Sequence, residues 1–405
     1  MMTDSAQNGH PATNQLPPPS ERIPVLRWLK QNLFSSWFST ILTVVAAALI
    51  VTVVYGLGRW ALTKAEWTVI PTNLKILLVG TYPKESLWRV WTTLYLITFL
   101  LGFSARLHGG LIRRIAMAGA VAAIVLGILP FPLATRGWIF GVAVAGGIGF
   151  ALGTLGIGRR WAKRLEVAVW LLSFPISLIL LNGVGGILPV IGGRNKWGFM
   201  LNLLGAVVGI GLSLPLGVLL ALGRRSKLPA IRLVCTVYIE LIRGVPLISL
   251  LFMASIMLQL MLPDSFRPDL VIRAMMTITL FSAAYMAENV RGGLQAISTG
   301  QYEAAYAVGL NGALTMMLII LPQALRAVIP AIVGQFIALF KDTTLFGFIA
   351  ILELLNISRA VLGNIEWRGR IFELYVFIGV VFWILCYSMS YVSRRIEKSL
   401  GVGER

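Results

Sequence analysis

Acidic residues, histidine and cysteine are scarce in this sequence: 405 residues contain 16 Asp and Glu, two His and two Cys. His10 lies in a polar N-terminal stretch and His108 in a loop, and neither is placed for a metal site or a proton relay. Cys235 and Cys386 fall in or beside apolar runs without CxxC or Cys/His spacing, so both are expected as small apolar side chains. The dipeptide Gly-Lys never occurs, and with it is lost the GxxxxGK[ST] loop whose amides cradle phosphates. This chain is therefore not expected to bind ATP itself. No GxSxG and no catalytic carboxylate pair are found, which excludes a membrane hydrolase. The first thirty residues lack the apolar h-region of a secretory signal peptide. Polar and proline-rich, residues 1–36 are expected to form a disordered cytoplasmic tail.

What the chain does have is apolar sequence. It is 57% hydrophobic and 13% charged, with a mean hydropathy of +0.83, far from the roughly 25% charged residues of soluble domains. Runs of about twenty apolar residues, enough to cross about 30 Å of hydrocarbon, centre on 37–56, 89–104, 114–133, 138–156, 165–183, 197–222, 233–261, 270–290, 328–352 and 371–392. The expected fold is an all-α, polytopic transmembrane bundle of about ten spans, with eight as the lower bound. Pro130, Pro132 and Gly137 are expected to turn the 114–156 hairpin, and 57–88 to form one long outer loop. The net charge of +19 would suggest nucleic acid in a soluble domain. Here the basic residues sit in short loops between apolar runs, so no nucleic-acid partner is expected. An even number of spans puts both termini on one side. The paired arginines at 113–114, 159–160, 224–225 and 394–395 then all fall inside, which orients both termini to the cytoplasm.

One inner loop, 291–326, interrupts the apolar pattern. Its stretch "QYEAAYAVGLNGALTMMLIILPQAL" (301–325) reads as two short helices. Gly300 is expected at the N-cap of the first, with Glu303 at the third helical position beside the free amides. Ala304, Ala305 and Ala307 give it a smooth face, and Gly309 ends it in the left-handed conformation. The second is expected from Ala313 to Leu321, stopped by Pro322. A small-faced helix held at the membrane surface suits insertion into a groove on a rigid partner.

Glu303-Ala304-Ala305, three residues, Gly309, nine residues, Ile319, one residue, Leu321-Pro322 resembles the EAA-X3-G-X9-I-X-LP signature of membrane subunits of bacterial ABC importers, without departure. The flanks "IELIRGVPL" (239–247), "AENVRGGLQAISTGQYEAA" (287–305) and "LPQALRAVIPAIVGQFIALFKDTTL" (321–345) look like the polar amino acid permease family of the histidine/glutamine type. The resemblance covers 197–395. It implies a type I ABC importer permease core of five spans, preceded by an N-terminal multi-span extension (37–190) similar to that of general L-amino-acid permease subunits, and followed by a cytoplasmic tail (396–405). It also implies a noncatalytic subunit of the bacterial inner membrane. ATP and Mg would be bound by a partner ATPase docked on the EAA loop through Glu303, Ala304, Ala305, Gly309, Leu321 and Pro322. A second permease subunit and a periplasmic amino-acid-binding protein would complete the importer. A secondary transporter driven by an ion gradient is the competing reading of the composition.

Two sets of charged residues fall inside expected spans. Glu240 and Arg243 are three apart, hence on one helical face, either as a structural pair or facing the pathway. Lys341 lies 11 residues beyond Pro330, or roughly 16 Å along a helix, about mid-bilayer. Charges there are expensive unless paired, wet or liganded. Thr343, Thr344 and Gly347 point to a local break in the helix. Lys341, Asp342 and Thr343 are accordingly candidates for a substrate pathway, the two charges matching the opposite charges of a zwitterionic amino acid; the alternative is a structural pair that holds the helix break or contacts the second permease subunit.

Overall fold

The structure is a computed structural model and describes residues 25–129, 131–184, 186, 188–191, 196–263 and 268–401. Among them the helices, in chain order, are α1 (Val25–Asn32), α2 (Trp37–Thr63), α3 (Val69–Val79), α4 (Leu87–His108), α5 (Gly110–Ile128), α6 (Leu133–Gly153), α7 (Arg160–Asn182), α8 (Phe199–Arg224), α9 (Pro229–Gly244), α10 (Leu247–Phe252), α11 (Leu258–Met261), α12 (Leu270–Gln295), α13 (Thr299–Ala307), α14 (Gly312–Leu314), α15 (Leu321–Ala327), α16 (Ile329–Asp342), α17 (Leu354–Leu362) and α18 (Ile371–Ser399). Nine described helices are long and apolar enough to cross a membrane, and the count reaches ten where the bent pair Pro229–Gly244 with Leu247–Met261 is taken as one broken span. Every expected apolar run has its helix.

Residues up to Glu66 and from Trp67 onward form two separate compact units. In the first, α1 replaces part of the disorder expected for 1–36, because Val25, Leu26, Leu29 and Leu33 recur at helical spacing. Residues 1–24 of that tail lie outside the described residues, as do Pro130 and 402–405 of the C-terminal tail. Ser36 caps α2, its hydroxyl accepting from the Ser39 amide at 3.1 Å.

In the second unit, α4 and α6 pack through glycine. A Cβ on Gly149 would lie 2.0 Å from the Phe99 carbonyl oxygen, and one on Gly102 would lie 2.0 Å from that of Gly146. Helix backbones thus approach closely without side chains between them, the small-residue packing suited to a lipid solvent. Gly137 lies inside α6 rather than in the turn expected of it. The outer loop contains α3, too short at 11 residues to span, which packs on α8, α17 and α18. Below it the buried Tyr82 donates to the Leu181 carbonyl at 2.8 Å.

The C-terminal helices surround α12, of whose apolar stretch 67% is buried, against 33% in α8. Gly217 of α8 admits Met286 of α12, and Gly209 admits Leu339 of α16. Phe340 of α16 stacks on Phe382 of α18, ring centroids 4.8 Å apart. The span expected as one helix over 233–261 turns instead through 105° between α9 and α10. Pro246 provides no amide hydrogen and drives Val245 into an extended conformation (φ −110°, ψ 136°). Beyond the bend, a π-helical turn over Met253–Met257 is held by Arg273, whose guanidinium donates to the carbonyls of Ala254 (3.0 Å) and Ser255 (2.7 Å).

Candidate functional site

The 291–326 loop stands on the ends of three spans. Ala221 of α8, Ile239 of α9, and Ala287, Val290 and Leu294 of α12 form a buried cluster with Ile320 and Ala324, against which Ile297 and Tyr302 pack. The Tyr302 hydroxyl accepts from Arg225 at 3.5 Å, and Gln323 donates to Gln301 at 3.0 Å. Two helices on this base do form, with corrections. Ser298, not Gly300, is the N-cap of α13, because Ile297 is drawn into the cluster and the chain turns two residues sooner. Glu303 is therefore the fifth helical residue, beyond the free amides. It is exposed and makes no ion pair among the described residues.

Gly309 behaves as expected: its φ is +84°. Its amide donates to Tyr306 O at 3.0 Å and that of Leu310 to Ala305 O at 3.1 Å, which satisfies the last carbonyls of α13. Ala305 is buried, whereas Ala304 and Gly309 are exposed, and Tyr306 and Val308 are 53% and 75% exposed. Asn311, which sequence reasoning passed over, caps the next helix by accepting from the Leu314 amide at 2.9 Å. That helix does not stop at Pro322. It passes through a π turn (Thr315–Ile320) into α15, with Leu321 and Pro322 directly after the π turn.

Glu240 and Arg243 do not pair with one another. Each reaches another helix: Glu240 accepts from Arg224 at 2.8 Å, and Arg243 lies 3.7 Å from Glu288, over the ring of Tyr285. Glu288 is the hub, meeting Arg224 at 3.5 Å and the Nε of Arg291 at 2.9 Å. These charges gather near the C-terminal ends of α8, α9 and α12, beside the loop. The Glu288–Arg291 spacing of three was the signal for this hub.

Lys341 and Asp342 end α16, the first exposed and the second half-buried. The expected break follows as a 3-10 turn over Thr343–Ile349, closed by Ala350 at φ +59°. Thr343 is fully buried and faces no open path: its hydroxyl donates to Phe340 O at 2.6 Å and accepts from Asn202 at 3.0 Å. Asn202 also donates to Glu353 at 3.2 Å and accepts from the Leu354 amide at 3.1 Å. Glu353, fully buried, accepts from the amides of Leu355 and Asn356, each at 2.9 Å. Burial pushes its carboxyl up from the usual range, and these hydrogen bonds pull against that shift. Asn202 and Glu353, missed in the sequence, thus hold the break that presents Lys341 and Asp342.

Comparison with known proteins decides the family. Residues 213–402 match the model for the binding-protein-dependent transport system inner membrane component. The chain is 35% identical, over 95% of its own length and 95% of the other's, to the glutamate/glutamine/aspartate/asparagine transport system permease protein BztC of Rhodobacter capsulatus. This chain belongs to that family of transport permeases. The permease is also 34% identical to the inner membrane amino-acid ABC transporter permease protein YhdY of Escherichia coli, over 93% of each chain. Both alignments run through the N-terminal extension. The probable glutamine permease GlnP of Bacillus subtilis, 33% identical, matches 49% of this chain and 90% of its own. Among solved structures, an amino acid ABC transporter is 27% identical with a TM-score of 0.45, covering 50% of this chain and 92% of that one.

Proposed function

We propose that this permease is the noncatalytic, membrane-spanning subunit of an ATP-driven importer that carries L-amino acids, of broad side-chain range, across the bacterial inner membrane. The observation that carries the proposal is the α13 helix. It is short and exposed, has a free carboxylate at Glu303 and an apolar surface at Tyr306 and Val308, and is rooted in a buried cluster joining three spans. Such a helix transmits a push from a docked ATPase to α8, α9 and α12 as one body. The partner ATPase supplies the ATP and Mg site and performs the hydrolysis. Ala305, Leu321 and Pro322 hold the loop, while Glu303, Ala304 and Gly309 meet the partner. Lys341 and Asp342 face the substrate, and Thr343 anchors them.

A second permease subunit, as a heterodimer, and a periplasmic binding protein complete the assembly, with both termini of this chain cytoplasmic. The arginine pairs at the inner loops and the amino-acid permease names of its full-length relatives support this reading. Co-expression with a partner ATPase of the amino-acid importer class tests it: wild-type chain retains the ATPase through affinity purification, and Glu303→Lys stays in the membrane but loses it. Retention by Glu303→Lys overturns the docking assignment.

A further inference from the structure

A cavity of about 670 Å³ opens between α7, α8 and α12, away from Lys341 and the loop. Its walls are apolar: Phe174 and Leu178 from α7, Leu212 and Leu216 from α8, Met276 and Leu280 from α12. From Val271 to Leu280 the α12 wall covers ten residues, a rise of roughly 14 Å at 1.5 Å per residue step. That is about half of a 30 Å hydrocarbon layer, or one leaflet. Over most of its length such an apolar gap offers too few polar partners to hold ordered water. An acyl chain is the solvent at hand.

One end of the cavity is polar, lined by Asn182, Lys196 and Asp269. Lys196 is 6% exposed. Its ammonium donates to Asn182 Oδ1 at 3.0 Å and to the Ile191 carbonyl, and lies 4.7 Å from the Trp197 ring centroid. An ammonium has three donors, so one has no acceptor among the described residues. Asp269 is engaged in capping α12 through the Val271 amide at 2.8 Å. Arg89, whose guanidinium donates to Pro189 O, adds a second cation near Lys196. The described charges at this rim therefore sum to one positive.

We infer that this cavity is a binding site for one anionic phospholipid, with an acyl chain between α7, α8 and α12 and the phosphate on Lys196. The lipid fills the wedge that α7 leaves against the C-terminal helices, joining extension to core. It does not rest on the importer reading.

The test uses the full chain, purified with its partner subunits in nanodiscs of phosphatidylethanolamine containing phosphatidylglycerol with a diazirine midway along one acyl chain. Photolysis is expected to label the Leu212–Leu216 and Met275–Leu280 segments. Unlabelled phosphatidylglycerol should compete about fivefold better than phosphatidylethanolamine, the factor for about 1 kcal/mol from one basic residue near a membrane surface. Lys196→Met should abolish that preference and Lys196→Arg keep it, while Met276→Trp should remove the labelling with the assembly intact by size exclusion. Labelling confined to other helices, equal competition by both lipids in the wild type, or displacement of the probe by millimolar amino acids would each overturn the inference.

Discussion

Gly309 closes α13 with a φ of +84°, and a Cβ there would meet no atom within 4 Å. Within this chain, substitution at this position strains the backbone and meets no other atom. The left-handed conformation costs an L-residue about 1–2 kcal/mol, so Gly309→Ala should shift the loop away from its capped form by a factor of about 5 to 30. Gly309→Val should do more, since a β-branched side chain restricts the turn further. The two hydrogen bonds at risk are those of the Gly309 and Leu310 amides to Tyr306 and Ala305. The assay is ATP hydrolysis by the assembled importer in proteoliposomes, with and without loaded binding protein. Stimulation by the binding protein should fall about 5- to 30-fold in Gly309→Ala, with assembly and basal hydrolysis kept. Gly312→Ala is the control. It lies in α14 without positive φ, and its new methyl would sit 3.8 Å from the Tyr306 hydroxyl, so it should behave as wild type. Wild-type stimulation in Gly309→Val would refute the reasoning.

Removing Glu288 should lower the yield of assembled protein more than removing Glu240. Three guanidiniums converge on Glu288, whereas the Glu240 side chain is 56% exposed with a single bridge. Glu240→Gln is expected to shift thermal stability by under about 1 kcal/mol and Glu288→Gln by about 1–3 kcal/mol. Equal midpoints in a melting assay would contradict the hub. Glu353→Gln should destabilise by about 1–3 kcal/mol, because one amide oxygen cannot serve the Leu355, Asn356 and Asn202 donors and its NH2 meets another donor. An unchanged midpoint for that variant would show the three bonds to be dispensable. Lys341→Met and Asp342→Asn should each reduce uptake of acidic, neutral and basic amino acids alike while basal ATP hydrolysis persists. Unchanged apparent KM and rate in either variant would remove that residue from the pathway.

The spans and the loop signature were legible because both depend on local sequence. Apolar runs of about twenty residues have one stable form in lipid, and Gly309 needs only its own φ to end a helix. What sequence alone concealed depends on contacts between distant segments. Glu240 and Arg243 share a helical face, yet their partners come from α8 and α12, 16 and 45 residues away as numbered differences between Arg224 and Glu240 and between Arg243 and Glu288. Asn202 and Glu353 are 151 residues apart, and nothing near either marks it as a support for Lys341. The N-cap of α13 moved for the same reason, since Ile297 answers to a cluster built from four other segments. Pro322 misled in another way: a π turn just before it made room for a proline that an ordinary helix would not have tolerated.

The most direct measurement of the central claim is uptake of radiolabelled glutamate, glutamine and arginine into proteoliposomes holding this permease, its partner permease and the ATPase, with the binding protein outside and ATP within. Uptake of all three should require ATP and the binding protein, vanish when the ATPase is omitted, and continue after an ionophore has collapsed the ion gradients. Uptake by this chain without the ATPase, driven by an imposed ion gradient and abolished by the ionophore, would contradict the account.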